Sequence, residues 1–162
     1  RTLTGTITST YLGKSTGARV VAGEMRRGAT SRMKAVVWFS DLRGFTQLSE
    51  RLNEEHIIEM LNVFFDSVGE CIEANGGEIL KFIGDAVLAV FPYEDEISLK
   101  TSCAAAVQGA LLCLEKLDEV NRDRLQRGEP TVRTGIGLHR GEVVYGNIGT
   151  STRLDFTAPG VY

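Results

Sequence analysis

Residues 78–83 and 86–91 are two short apolar runs separated by Gly84-Asp85 alone, and a two-residue gap leaves room for little but a tight hairpin. This pair constrains the chain more than any other feature, because it predicts an antiparallel sheet and sets Asp85 at a hairpin tip. Upstream, Ala35-Val36-Val37-Trp38-Phe39 is β-branched and aromatic and stops at Ser40-Asp41-Leu42-Arg43-Gly44. That is the pattern of a buried strand with Asp41 just past its end. Asn53 can cap a helix opening at Glu54-Glu55, whose Ile57, Ile58, Leu61, Phe64, Phe65, Val68 and Ile72 share one face and which Asn75-Gly76-Gly77 ends. A second long helix is predicted over residues 97–127, closed by Gly128 and Pro130. A second hairpin is expected from residues 131–138 and 142–148, turning through His139-Arg140-Gly141. The order strand, helix, hairpin, helix, hairpin predicts an α+β fold: a ferredoxin-like βαββαβ sandwich with helices packed on a largely antiparallel sheet.

One such domain fits 162 residues. Residues 1–33, rich in Ser and Thr and then in Arg, read as a linker segment leading into a folded domain over 34–162. A net charge of −3 gives no electrostatic footprint for nonspecific nucleic-acid binding, so nucleic acid is not an expected partner. The three cysteines, Cys71, Cys103 and Cys113, are odd in number and lie in helical contexts, which predicts buried thiols of a reducing compartment. With two histidines and no Cys-x-x-Cys, a structural zinc site is not expected. The longest uninterrupted apolar runs are strand-length.

Asp41 and Asp85 each follow or join apolar strands beside a glycine, and in a βαββ unit the first strand and the next hairpin commonly lie side by side. Two converging carboxylates with no His or Cys nearby suit magnesium or manganese, which favour oxygen ligands. The alternative is that Asp41 caps the following turn and Asp85 is a turn residue. Next to Asp41, Arg43-Gly44-Phe45-Thr46 opens a helical pattern, and amides at a helix start donate to phosphate; an ordinary strand-to-helix turn is the competing reading. Gly13-Lys14-Ser15 lacks the first glycine of a P-loop, with Thr8 in its place, and Gly135-Ile136-Gly137 meets Arg140 where a dinucleotide fingerprint needs glycine. His56 and His139 are read as solvated residues, and Phe64-Phe65 as core.

Four segments together resemble a known family. They are Phe39-Ser40-Asp41-Leu42-Arg43-Gly44-Phe45-Thr46, the run from Gly77 through Lys81-Phe82-Ile83-Gly84-Asp85-Ala86, the run Gly135-Ile136-Gly137-Leu138-His139-Arg140-Gly141-Glu142-Val143, and Gly146-Asn147-Ile148-Gly149. In order and spacing they are similar to the catalytic domains of class III adenylate/guanylate cyclases of bacterial type, over about residues 34–160.

The resemblance implies an adenylate cyclase domain that converts ATP to 3',5'-cyclic AMP and pyrophosphate in intracellular signalling, using two divalent cations, Mg or Mn. Asp41 and Asp85 match the metal-holding aspartates, and Leu42 the position lending a backbone carbonyl. The amides of Arg43, Gly44, Phe45 and Thr46 match the triphosphate-binding turn. Lys81 and Asp155 match the purine-recognition pair. Adenine sets a ring-nitrogen acceptor beside an amine donor, which a lysine and an aspartate complement; guanine reverses both. The family further implies a homodimer whose partner chain completes each site, an upstream regulatory or sensor domain, and a cytoplasmic location for this domain. In family members an Asn and an Arg follow shortly after the position of Gly160, so the domain is expected to be truncated at Tyr162. Guanylate cyclase activity and a catalytically incomplete nucleotide-binding or dimerisation module are the alternatives. A GGDEF-type diguanylate cyclase is disfavoured because Ile83-Gly84-Asp85-Ala86 lacks the paired glycine.

Overall fold

The computed structural model describes residues 30–147 and 154–157. Strand β1 (Thr30–Leu42) leads through a short helix α1 (Phe45–Arg51) to a long helix α2 (Glu54–Ala74). The hairpin β2 (Glu78–Ile83) and β3 (Ala86–Pro92) follows, then helix α3 (Glu96–Gln126), β4 (Thr134–Asn147) and β5 (Leu154–Thr157). The strands form one antiparallel sheet in the order β2-β3-β1-β4-β5. This is the expected βαββαβ sandwich, with β5 added at one edge. Of the leading segment, residues 1–29 lie outside the described residues, as do 148–153 and the last five.

Local chemistry sets the element ends. The Asn53 side chain accepts the His56 amide at 2.9 Å, and Asp95 and Ser98 cap α3 reciprocally. The β2–β3 turn bends at Gly84, whose φ of 59° lies in the left-handed region that glycine enters without steric penalty. The other expected hairpin is absent. β4 runs straight through His139-Arg140-Gly141, pairing with β1 from Leu42↔Thr134 to Thr30↔Gly146. Gly141 has no positive φ of the kind such a hairpin turn demands, and the long β1 offers a partner along this whole stretch. Glycine was the shared cue at both places; strand pairing separates the turn from the strand. β1 likewise extends past its apolar run in both directions, so Asp41 is its penultimate residue.

The sheet is apolar on both faces, which explains why β1 and β3 carry unbroken apolar runs and not an alternation. One face, with Val36, Trp38, Leu42, Ile79, Val87, Ala89 and Phe91, packs with Phe64, Val68 and Ile72 of α2 and Leu99, Ala106, Cys113 and Leu117 of α3. Each fully buried Leu, Ile, Val or Phe there contributes about 1.5–3 kcal/mol. The opposite face carries Met33, Ala35, Val37, Leu80, Leu88, Val90 and Val143. By length and composition α3 passes for a membrane-crossing helix, but its buried stripe belongs to the core beneath the sheet. Cys71 and Cys113 are buried free thiols, as expected, and Cys103 is half-buried. Ile58, placed on the inner face of α2 by its spacing, is exposed.

Candidate active site at the carboxyl end of β1

Asp41 pairs across the sheet with Ala86, so Asp85 stands diagonally beside it at the hairpin tip, and the Leu42 amide donates to the Asp85 carbonyl at 3.3 Å. The register thus sets the two aspartates at the ends of adjacent strands, near enough for the Asp41 charge to act on Asp85. Burial raises the Asp85 carboxyl above its ordinary pKa; its own amide pulls the other way, the negative charge of Asp41 pushes further up, and the Leu42 amide opposes. Two hard carboxylates that repel each other in a half-buried spot, with the Leu42 carbonyl between them in sequence, are a donor set that fits magnesium or manganese. Among the described residues no group of three or more His, Cys, Asp or Glu forms an alternative metal cluster.

The turn after β1 is held from behind. The Arg43 amide donates to the Arg133 carbonyl at 2.7 Å, and the Thr134 hydroxyl donates to the Asp41 carbonyl at 2.7 Å. Both acceptor and donor belong to the stretch entering β4, which is itself anchored to α3. Asn121 bonds the Val132 backbone on both sides, at 2.8 and 2.7 Å. Arg124, 2% exposed, donates to the Pro130 carbonyl at 2.7 Å and grips both Glu59 oxygens at 3.0 and 2.8 Å. Reading the sequence alone missed Asn121, Arg124 and Thr134. One signal was available: an asparagine inside a long helix is a poor helix former and invites a search for a backbone partner.

Gly44 starts α1 in a left-handed conformation with φ 69°, and no side chain caps that end, whereas α2 and α3 both have side-chain caps. Among the described helices, the start beside the two aspartates is therefore the one without a side-chain cap. The Arg43 guanidinium lies 3.6 Å from Asp41, Nε to Oδ1.

Lys81 is in β2, where the register slips between Ile79 and Lys81. The bulge leaves Lys81 opposite Leu88 and Phe82 opposite Val87. Phe82 thus turns to the helix-covered face, with its ring 4.8 Å from that of Phe65, while Lys81 joins the face that carries Leu88 and Asp41. Asp155 occupies the position opposite Gly146 in β5; its side chain lies outside the described residues. β2 and β5 are opposite edges of the sheet, about four strand spacings or roughly 19 Å apart if the sheet were flat. The structure brings Asp41, Leu42, Arg43 and Asp85 together and leaves Lys81 and Asp155 on separate edges. His56 and His139 are both exposed, away from any such cluster.

The chain matches the family described as the adenylate and guanylate cyclase catalytic domain over residues 29–156. It is 37% identical over 137 residues to an adenylate cyclase of Anabaena cylindrica, covering 82% of this chain and 26% of that protein. It thus spans about a quarter of that relative's length. Among solved structures, the adenylyl cyclase CyaB from P. aeruginosa superposes with a TM-score of 0.70 at 32% identity, over 82% of this chain and 68% of that one. The guanylyl cyclase Cya2 superposes with a TM-score of 0.64 at 35% identity, over 81% and 66% of the two chains.

Proposed function

The chain belongs to the adenylate and guanylate cyclase catalytic domain family, and from that premise we propose that it is the cyclising domain of an adenylate cyclase, forming cyclic AMP and pyrophosphate from ATP. The observation that carries this reading is the pair Asp41 and Asp85, side by side at the end of β1 and against the start of α1. In the reaction the ribose 3'-oxygen bonds to the α-phosphorus while the bond between that phosphorus and the bridging oxygen to the β-phosphate breaks. Divalent cations held by Asp41, Asp85 and the Leu42 carbonyl would supply acidification of the 3'-hydroxyl and charge neutralisation of the phosphates. The chain's own part is positioning. The amides of residues 44–46 are assigned to the triphosphate, while the Arg43 amide, taken up by the Arg133 carbonyl, and the Thr134 bond keep that turn in place.

Adenine selection is assigned to Lys81, donating to the ring nitrogen, and Asp155, accepting from the amine. The two stand on opposite sheet edges, so the sites are completed in a homodimer, with the second chain's elements closing over the base. GTP is the second reading, favoured by the similarity to the guanylyl cyclase Cya2. Regulation by an upstream domain and a cytoplasmic reaction complete the proposal, and the relatives' greater length supports the first.

The test is incubation of the chain, and of a form extended at its C-terminus, with ATP or GTP and manganese. Cyclic AMP as the main product supports the assignment. Predominant cyclic GMP overturns the Lys81 and Asp155 argument. Failure of both forms to cyclise either nucleotide, with binding retained, favours a nucleotide-binding module. A Lys81→Glu, Asp155→Cys double substitution should shift preference toward GTP, because it replaces the donor that guanine would oppose.

A further inference from the structure

Gly135 of β4 stands directly across from Asp41 of β1, and a methyl group built on it would lie 2.5 Å from Arg43 Nε and 2.6 Å from its Cζ. The guanidinium therefore occupies the space that a side chain at position 135 would fill. From there its Nε faces the Asp41 carboxylate at 3.6 Å, while the side chain remains 68% exposed. The Arg43 backbone, by contrast, is pinned to Arg133. The cation is thus an exposed group on a fixed root, between a carboxylate of the candidate metal pair and the turn assigned to phosphate.

We propose that Arg43 is an exchangeable counter-ion: in the ligand-free chain its guanidinium rests on Gly135 against Asp41, and in the loaded site it moves to the nucleotide's phosphates. The inference rests on the cyclase reading of Asp41 and Asp85. Its physical basis is competition. A guanidinium against Asp41 offsets part of the repulsion between two adjacent carboxylates, and it opposes a second cation at the same oxygen. Once a triphosphate is present, the planar fork finds a better partner, because guanidinium to phosphate bonds are charge-assisted and can be bidentate. A glycine at position 135 is what makes the resting place possible.

The test measures manganese binding to the full chain by titration, with and without the non-cyclisable ATP analogue carrying a methylene between its α- and β-phosphates. Arg43→Ala should tighten binding of manganese alone by up to about fivefold, the limit for an exposed ion pair, and should weaken binding of the analogue. Gly135→Ala keeps the charge but evicts the guanidinium from its seat, and should also tighten manganese binding. Arg43→Lys, lacking the fork, should recover manganese competition more fully than analogue binding. Arg43→Ala shifting both affinities in the same direction, or neither, overturns the proposal. Asp85→Asn separates the levels of failure: manganese binding that needs Asp85 but ignores Arg43 sinks this inference alone, whereas binding indifferent to Asp85 sinks the metal reading with it. Because Arg43 is exposed, Arg43→Ala tests the idea even if Gly135→Ala does not fold.

Discussion

Asn121 and Val132 are joined twice: the Asn121 amide nitrogen donates to the Val132 carbonyl at 2.8 Å, and the Val132 amide donates to Asn121 Oδ1 at 2.7 Å. A side chain in α3 thus takes the place of a neighbouring strand for a fully buried valine, and the next two residues contact the turn that carries Asp41 and Arg43. The helix end and the candidate site are mechanically one unit.

Asn121→Ala should therefore cost about 1–3 kcal/mol, the penalty for leaving part-buried backbone groups unpaired. Urea unfolding measures it. In a form that cyclises nucleotide, kcat should fall more than the KM for nucleotide rises, since the substitution loosens the turn without touching the phosphate donors. Unchanged stability would show that water replaces the side chain.

Arg124 and Glu59 give a second, asymmetric prediction. Glu59→Gln takes the nearer carboxylate from a guanidinium that is 2% exposed and leaves it Glu129 at 4.0 Å, and removing the partner of a wholly buried pair costs about 3–5 kcal/mol. Glu59 is 43% exposed, so the lower part of that range or less is expected. Arg124→Met, which keeps volume and removes the charge, should cost less than Arg124→Ala. Thermal unfolding of the three variants orders them.

Asp85 sets a pH dependence. Its carboxyl is raised above the ordinary value in the folded chain, chiefly by burial, so its contribution favours the fold at low pH and is lost as pH rises through the raised pKa. Asp85→Asn should consequently raise the melting temperature at pH 7 in the absence of divalent ions. The gain should vanish as the pH falls below the ordinary carboxylate range. Added manganese should stabilise the unsubstituted chain more than the variant. A variant less stable at pH 7 would contradict the sign.

Gly77 is glycine for packing. A Cβ there would sit 2.7 Å from Ile72 Cγ2 and from Phe91 Cζ, both in the core. Gly77→Ala should destabilise by about 1–3 kcal/mol, the usual penalty of overpacking, measurable as a shift of the urea midpoint.

The hairpin at Gly84-Asp85, the caps at Asn53 and the two long helices were legible in the residues because each is a local matter of turn chemistry, capping or periodicity. So was the nearness of Asp41 to Asp85, once both were set at strand ends. The glycine of His139-Arg140-Gly141 misled because glycine marks both turns and strand interiors; the length of β1 decides which. The bulge at Leu80 also escaped, although it chooses the face on which Lys81 stands.

By itself the sequence determined the β2–β3 hairpin, the two long helices and the antiparallel class, since these follow from interactions spanning only a few residues. The tertiary structure alone decided that β4 is one strand, that Asn121, Arg124 and Thr134 brace the Asp41 turn, and that Arg43 lies on Gly135. The Thr134 bond to Asp41 alone joins residues 93 positions apart, and strand order, which no local pattern encodes, is what brings such residues together.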